Sequence, residues 1–248
     1  MKPVSRALLL ACGINGEEKT MEKISYEEIA GMIDHSLLQP ALTDDELEAG
    51  CFLARRLKVV SVCVKPYFVG RAKELLEGSG VRVGTTIGFP HGGHSTEVKR
   101  QEAADACQNG AVELDMVLNI GKVLSEDWDY VEEDIGAVRE VARQHGAIVK
   151  VIFENCYLQD RHKIKLCLMC SELGVDFVKT STGYGSGGAT DKDVALMRER
   201  CSASVQVKAA GGIRSLERAL RMRELGCTRI GATATEKILS ELKAKMAE

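Results

Sequence analysis

Short apolar runs alternate with amphipathic stretches along the chain from residue 33 onward. The runs are rich in β-branched residues and are bounded by glycine or polar turn residues, which is typical of strands buried on both faces of a parallel sheet. Eight such runs occur, at residues 33–38, 59–64, 81–87, 111–117, 147–153, 175–180, 204–209 and 228–231.

Helical patterns lie between these runs. Thr43 is followed three residues later by Glu46, which is the spacing of a capping box at the start of a helix. Other amphipathic stretches end at a glycine, the residue that most often stops a helix. These glycines are Gly110, Gly174 and Gly226.

Eight strand–helix units without a break in composition predict one α/β domain over residues 25–248. We expect a (β/α)8 TIM barrel, which needs about 250 residues and accommodates eight near-equal units. An open doubly wound sheet is the competing arrangement. The chain lacks a Gly-x-Gly-x-x-Gly sequence after the first run, which argues against a dinucleotide-binding form of that fold.

Composition narrows the class of protein. The net charge of −3 and the aromatic content of 4% argue against a nucleic-acid-binding surface. Nine cysteines without disulfide-framework spacing indicate free thiols in a reducing cytoplasm. No apolar stretch is long enough for a membrane span. Residues 1–24, in which the apolar run is too short for a signal peptide, are expected to form a poorly ordered extension.

Charged residues lie within several of the apolar runs, among them Asp115, Lys150, Lys179 and Lys208. Burying an unpaired charge is costly, so such groups are either paired or functional. Asp115, Lys179 and Lys208 lie late in their predicted strands, and the carboxyl ends of barrel strands form the active site. Paired structural charges, such as Lys150 with Asp115, are the alternative explanation.

Lys179 and Lys208 are separated by one strand–helix–strand step, which places them on adjacent strands at a similar depth. Desolvation and repulsion between two ammonium groups both lower the pKa of a lysine. A neutral amine near pH 7 attacks a carbonyl carbon and forms an imine. The pair therefore predicts Schiff-base chemistry of the class I aldolase kind, in which one of the two lysines forms an imine near the carboxylate Asp115.

Glycine-rich turns follow the last three predicted strands. They contain Gly183, the pair Gly211 and Gly212, and the segment that leads to Thr233. Barrel enzymes often bind phosphate with the loops after strands seven and eight, where backbone N–H groups approach the anion. We therefore expect a phosphorylated substrate.

Seven motifs, in the same order and one on almost every strand, resemble the deoxyribose-phosphate aldolases over roughly residues 25–240. The most specific is the Lys-Thr-Ser-Thr-Gly segment of residues 179–183, followed one unit later by a second lysine and a Gly-Gly pair. The motifs occupy residues 33–38, 61–64, 84–92, 113–117, 150–152, 177–183 and 207–213.

The resemblance implies reversible cleavage of 2-deoxy-D-ribose 5-phosphate to D-glyceraldehyde 3-phosphate and acetaldehyde, without metal or organic cofactor. This is a reaction of deoxyribonucleotide catabolism. The resemblance also implies that Lys179 forms the Schiff base, with Lys208 and Asp115 as its catalytic partners. Lys208 would lower the pKa of Lys179, and Asp115 would move protons through a water molecule. Further roles follow from the matching positions: Ser36, Cys63, Lys150 and Thr182 would line the sugar site, and Gly183, Gly211, Gly212 and Thr233 would bind phosphate.

Three positions depart from the pattern of the family. Many members carry two hydroxyl residues where this chain has Thr233 and Ala234, so one donor to the phosphate is lost. Ser36 stands where threonine is common. The chain ends at Glu248 without the terminal tyrosine that assists proton transfer in some members.

Two motifs have metal-binding alternatives. Cys167 and Cys170 have the Cys-x-x-Cys spacing, but no second pair follows and the segment is predicted to be helical. His91 and His94 suggest a class II aldolase, in which the two lysines would have no purpose. We expect ordinary core and loop residues at both places.

Two functional alternatives stay open at this point. The chain is either a Schiff-base aldolase for another aldehyde, phosphorylated or not, or a non-catalytic barrel that binds a sugar phosphate. The sequence leaves open a homodimer or a higher homo-oligomer, and it predicts neither nucleic acid nor membrane as a partner.

Overall fold

Eight parallel strands close into a barrel in the computed structural model, which describes residues 24–247. Each strand pairs with its neighbours in sequence, and the last strand pairs with the first, so the predicted (β/α)8 fold is confirmed and the open sheet is excluded. Every predicted run overlaps one strand. The strands are β1 Ile33–Leu37, β2 Ser61–Val64, β3 Arg82–Ile87, β4 Glu113–Val117, β5 Ile148–Ile152, β6 Phe177–Lys179, β7 Gln206–Ala210 and β8 Cys227–Ala232.

Helices connect successive strands, and their ends follow the capping residues of the sequence. The Thr43 hydroxyl accepts the backbone N–H of Glu46, and the Glu46 carboxylate accepts that of Thr43. Two 3₁₀ helices, Pro66–Phe68 and Asn155–Tyr157, lie in the loops. The α-helices are α1 Tyr26–Ala30, α2 Asp44–Leu57, α3 Val69–Leu76, α4 Thr96–Gln108, α5 Ile120–Leu124, α6 Trp128–His145, α7 Asp160–Leu173, α8 Asp191–Arg200, α9 Leu216–Glu224 and α10 Thr235–Met246.

The strands carry two kinds of side chain in alternation, as β4 shows. Leu114 and Met116 are fully buried and belong to the apolar core. Glu113 and Asp115 are also fully buried, and they contact charged groups from the opposite side of the barrel. Because successive side chains of a strand point to opposite faces, the apolar pair faces the helices and the charged pair fills the barrel interior.

Strand bounds revise the expected depth of two residues. Lys179 is the last residue of β6, as predicted, whereas Asp115 and Lys208 are each the third of five residues in their strands. The register still pairs Lys179 with Lys208 and Asp115 with Lys150. Depth in a barrel depends on the stagger between strands as well as on position within each strand, so all four reach the same interior region.

The N-terminal extension predicted for residues 1–24 lies outside the described residues apart from Ile24, which packs against the core. Over residues 24–247, no helix combines the length and the apolar composition that a membrane crossing requires.

Candidate active site

Seven buried charged side chains from six strands fill the barrel interior, and we refer to them as the interior charge cluster. Each is at most 5% exposed, so these charges are stabilised by one another rather than by bulk water. The members of the cluster are Asp34 of β1, Glu113 and Asp115 of β4, Lys150 of β5, Lys179 of β6, Lys208 of β7 and Arg229 of β8.

Asp115 is the centre of the upper part of this cluster. Its Oδ2 atom accepts hydrogen bonds from Lys179 Nζ and Lys208 Nζ, both at 2.7 Å. Its Oδ1 atom accepts one from Lys150 Nζ at 2.8 Å. Lys208 Nζ also donates to Asp34 Oδ2 at 2.5 Å. The three predicted catalytic residues are therefore in direct contact.

The two lysines of the predicted pair have pKa values displaced in opposite directions. Burial lowers the pKa of Lys179, and the positive charge of Lys208 lowers it further, although Asp115 opposes both effects. Burial also acts to lower the pKa of Lys208, but Asp115 and Asp34 outweigh it, so the net shift is upward. Lys179 is thus the amine that loses its proton more readily, and Lys208 stays an ammonium group.

Asp115 stays a carboxylate in these surroundings. Burial alone would raise its pKa, but Lys150, Lys179 and Lys208 together hold that pKa well below the ordinary value. A carboxylate that contacts three amines can accept and pass on protons among them.

A pocket of about 240 Å³ opens above the interior charge cluster at the carboxyl ends of the strands. Lys179 and Lys208 lie at its floor. Asp115 and Lys150 lie beneath this floor and are not among the lining residues. The other seven residues predicted for the site all line the pocket: Ser36, Cys63, Thr182, Gly183, Gly211, Gly212 and Thr233.

The glycine-rich loops form one end of this pocket. Gly211 has a φ of +83°, and a Cβ atom there would lie 2.8 Å from the Cα of Gly188, so no other residue fits. Arg214, three residues after Gly211, is exposed and also lines the pocket. Exposed backbone N–H groups beside a guanidinium group suit an anion such as phosphate.

The hydroxyl group of Thr182 is already engaged by protein groups. It donates to the buried carboxylate of Glu154 and accepts the backbone N–H of Tyr184 at 2.9 Å. The Tyr184 hydroxyl in turn donates to the carbonyl oxygen of Leu38 at 2.7 Å, and its ring meets that of Phe89 edge to face. Thr182 therefore holds the loop after β6 in place as well as lining the pocket.

The cysteines and histidines that have a metal-binding alternative lie outside the pocket. Cys167 and Cys170 are fully buried in α7, and His91 and His94 are exposed outside the pocket. Among the residues that the structure describes, no three His, Cys, Asp or Glu side chains are grouped so as to hold a metal ion. Burial raises the pKa of Cys63 to about 11, so this thiol is protonated at neutral pH.

Comparison with known proteins places this pocket in a family. The profile of the DeoC/LacD family of aldolases matches residues 29–234. The chain belongs to this family. The deoxyribose-phosphate aldolase of Rhodopirellula baltica is 53% identical over 91% of this chain and 94% of its own length. That of Caldanaerobacter subterraneus subsp. tengcongensis is 50% identical over 88% of this chain and 95% of its own.

A solved structure agrees with these relatives. The tetrameric deoxyribose phosphate aldolase of Aeropyrum pernix superimposes with a TM-score of 0.83 at 31% identity. The match covers 89% of this chain and 93% of that one. The barrel and its pocket are therefore those of the DeoC/LacD family of aldolases.

Sequence reasoning did not single out four charged groups of this region: Asp34, Glu113, Arg214 and Arg229. Asp34 and Glu113 lie within two of the motifs that resemble the deoxyribose-phosphate aldolases, but no separate role is predicted for either residue. Arg229 interrupts the last strand, so the rule applied to Lys150 and Lys208 would also have found it. Nothing in the sequence shows which of these charges meet inside the barrel.

Proposed function

We propose that this chain cleaves 2-deoxy-D-ribose 5-phosphate reversibly to D-glyceraldehyde 3-phosphate and acetaldehyde, with Lys179 as the Schiff-base amine. The observation that carries the proposal is the floor of the pocket. There Lys179, with its lowered pKa, shares one oxygen of Asp115 with a second lysine whose pKa is raised. The names of the relatives support the choice of substrate.

The reaction begins at the aldehyde carbon, C1, of the open-chain sugar. The neutral amine of Lys179 adds to this carbon, and loss of water gives a protonated imine. Removal of the C3 hydroxyl proton then allows the C2–C3 bond to break. Its electron pair moves toward the imine and leaves an enamine, while glyceraldehyde 3-phosphate departs. Protonation of the enamine at C2 and hydrolysis release acetaldehyde and restore the amine.

Lys208 and Asp115 are placed to move these protons. Lys208 remains an ammonium group and can donate a proton, and Asp115 remains a carboxylate and can accept one. Lys208 lines the pocket, so a single water molecule there would connect it to C2 or to the C3 hydroxyl. Asp115 exchanges protons with Lys179 and Lys208, both of which it contacts.

The sugar would lie between the lysine floor and the glycine-rich end of the pocket. We assign the phosphate to the backbone of Gly183, Gly211 and Gly212, with the side chains of Thr233 and Arg214. Ser36 and Cys63 line the sugar site. Lys150 acts from below through Asp115, to which it donates a hydrogen bond. No metal or organic cofactor takes part in these steps.

Borohydride reduction after incubation with acetaldehyde tests this proposal. We expect one reduced adduct, located on Lys179 by peptide mass spectrometry, and none in the Lys179→Met variant. Lys237→Met, which removes an exposed lysine of α10, serves as the matched control. If Lys179 stays unmodified while a known class I aldolase is labelled under the same conditions, the chain is a non-catalytic sugar-phosphate binder.

Two properties of the whole protein belong to this proposal. We propose a homo-oligomer because a related aldolase is a tetramer, and light scattering in solution measures its size. We propose a cytoplasmic location because the eight cysteines within residues 24–247 are free thiols, six of them buried.

A further inference from the structure

The lower half of the interior charge cluster has no part in the chemistry described above. Arg229 and Glu113 do not line the pocket, and they are at most 5% exposed. We propose that these two residues are positioning residues that set the protonation state of Lys179 from a distance, through the ion pairs that connect them to it. This inference rests on the proposed aldolase function and extends it to groups that never touch the substrate.

Two chains of contacts join Arg229 to the active amine. Arg229 donates to both oxygens of Glu113, at 2.9 and 3.1 Å, and to Oδ1 of Asp34. Glu113 continues to Lys150 at 2.5 Å, and Asp34 continues to Lys208 at 2.5 Å. Both lysines then meet on the carboxylate of Asp115, which holds Lys179.

Each connection in these chains joins different strands, and several cross the barrel. The side chain of Glu113 has room because β3 carries a glycine beside it. A Cβ atom at Gly84 would lie 3.3 Å from the Cβ of Glu113. The guanidinium group of Arg229 also lies 5.3 Å from the centre of the Phe177 ring, which limits its movement. The lower pair is therefore built into the barrel rather than exposed at its mouth.

The count of charges explains why the lower pair matters. Four cations of the cluster face three carboxylates, so full ionisation leaves one excess positive charge among side chains that are at most 5% exposed. Within the part of the chain that the structure describes, Lys150 contacts three carboxylates and Lys208 contacts two, whereas Lys179 contacts only Asp115. Lys179 is therefore the group from which a proton is most easily lost.

Other ionisable groups surround Lys179 and stay the same in the test below. Cys63 of β2 lies near it as a neutral thiol, and Glu154 lies beyond Thr182 on the side of β5. Arg82 reaches Glu113 at 3.2 Å from the lower mouth of the barrel, but its side chain is 53% exposed and water screens its charge. The excess positive charge near Lys179 therefore depends on the residues of the interior charge cluster and not on these surrounding groups.

Neutral replacements of the two lower residues are expected to act in opposite directions. Arg229→Gln removes the excess positive charge, so Lys179 keeps its proton to higher pH. Glu113→Gln adds a second excess charge, so Lys179 loses its proton at lower pH. A shift of about one pH unit changes the rate of borohydride trapping about tenfold at a pH below the pKa of Lys179. We expect trapping to be about tenfold slower in Arg229→Gln and about tenfold faster in Glu113→Gln than in the parent protein.

Two further variants separate charge from structure. Arg229→Lys keeps the charge and should keep the pH profile of trapping close to that of the parent protein. The double variant Glu113→Gln with Arg229→Gln restores the excess of one charge and should also restore the profile, even if a single variant folds poorly. Glu140→Gln, which removes an exposed carboxylate of α6, is the matched control and should shift nothing.

The titration of Lys179 can also be followed without turnover. The ¹³Cε resonance of Lys179, identified by its loss in Lys179→Met, reports the protonation of the amine directly. Parent protein that shows no lysine adduct would reject the aldolase function. Parent protein that reacts normally, with single variants whose Lys179 titrates unchanged or shifts in the same direction, would reject the positioning role alone. A double variant in which the titration of Lys179 differs from that of the parent protein would also reject the positioning role.

Discussion

Lys179 and Lys208 are identical side chains on neighbouring strands, and they differ in the number of carboxylates that they contact. Lys208 lies between Asp34 and Asp115, whereas Lys179 has Asp115 alone. Burial acts against the charge of both, and only Lys208 has enough negative charge nearby to overcome it. The opposite pKa shifts of the two lysines therefore follow from Asp34, a residue that the amine of Lys179 does not touch.

Arg214 carries the prediction that belongs to single residues. Arg214→Met removes the one charged side chain that residues 24–247 place at the glycine-rich end of the pocket. Because a hydrogen bond to a charged group contributes about 1.5–3 kcal/mol, we expect KM for 2-deoxyribose 5-phosphate to rise about 10- to 100-fold. Turnover of unphosphorylated 2-deoxyribose should stay unchanged, and steady-state kinetics with both sugars measures the difference. An equal effect on both sugars would show that Arg214 does not bind phosphate.

For single residues, the sequence predicts the charged groups within the strands but not the contacts between loops. Lys179, Lys208 and Asp115 could be found because a charge within an apolar strand is unusual. The engagement of Thr182 by Glu154 could not be found, because Glu154 follows a different strand and adopts a left-handed conformation with φ of +55°. Contacts between loops depend on backbone geometry that no local pattern encodes.

Helices and strands could be predicted more fully than these contacts. The capping residues Thr43 and Ser95 and the stop glycines gave helix limits close to those observed. The five-residue helix α5 has less than two turns, so it shows no amphipathic period that a sequence pattern could reveal. Buried parallel strands were recognisable because they are short and apolar, although their ends shifted by one or two residues.

The link between β1 and α10 carries the prediction that belongs to elements. His35 of β1 is buried and its Nδ1 atom lies 2.8 Å from the hydroxyl of Thr235, the first residue of α10. This contact holds the helix start next to Thr233 of the pocket. Burial lowers the pKa of His35 to about 4, from 6.5. His35 therefore takes up a proton at lower pH in the folded protein than in the unfolded chain.

Stability should consequently fall as the pH drops through the range between these two pKa values. The stabilisation from neutral His35 is complete above about pH 6.5 and is lost as the pH falls toward about 4, a change of about 3 kcal/mol. Carboxylates titrate in part of this range too, so His35→Asn is the control that retains them. Urea unfolding from pH 7.5 to pH 4 should show the free energies of the two proteins converging. Parallel curves would mean that the pKa of His35 is the same in the folded protein as in the unfolded chain.

At the scale of the whole molecule, the closed barrel determines which charges meet. Eight similar units were enough to predict closure, because an open sheet gives no reason for near-equal repeats. The contact of Glu113 on β4 with Arg229 on β8 was beyond sequence reasoning, since those strands lie on opposite sides of the barrel. Such contacts depend on the stagger of all eight strands together, which no single segment determines.

The limits of the barrel domain give the last prediction. We propose that residues 25–248 fold and act without the residues before them. The segment from Ser25 is part of the barrel, because Ser25 and Glu28 cap α1 and the buried Ile29 belongs to the apolar core. The carbonyl oxygen of Ala30 accepts the backbone N–H of Val60, and that of Met32 accepts the backbone N–H of Ile230.

Two truncated proteins locate this boundary. A chain that starts at Met21 keeps α1 and its cap, so its melting temperature and turnover should match those of the full chain. A chain that starts at Gly31 loses Ile29 and Ala30 from the core, and burial of a large aliphatic side chain contributes about 2–5 kcal/mol. Its melting temperature should fall by at least about 4 °C, since a domain of this size loses about 2–4 °C per kcal/mol. Equal melting by circular dichroism of both truncated proteins would place the start of the domain after α1, and loss of activity in the longer one would place it before Met21.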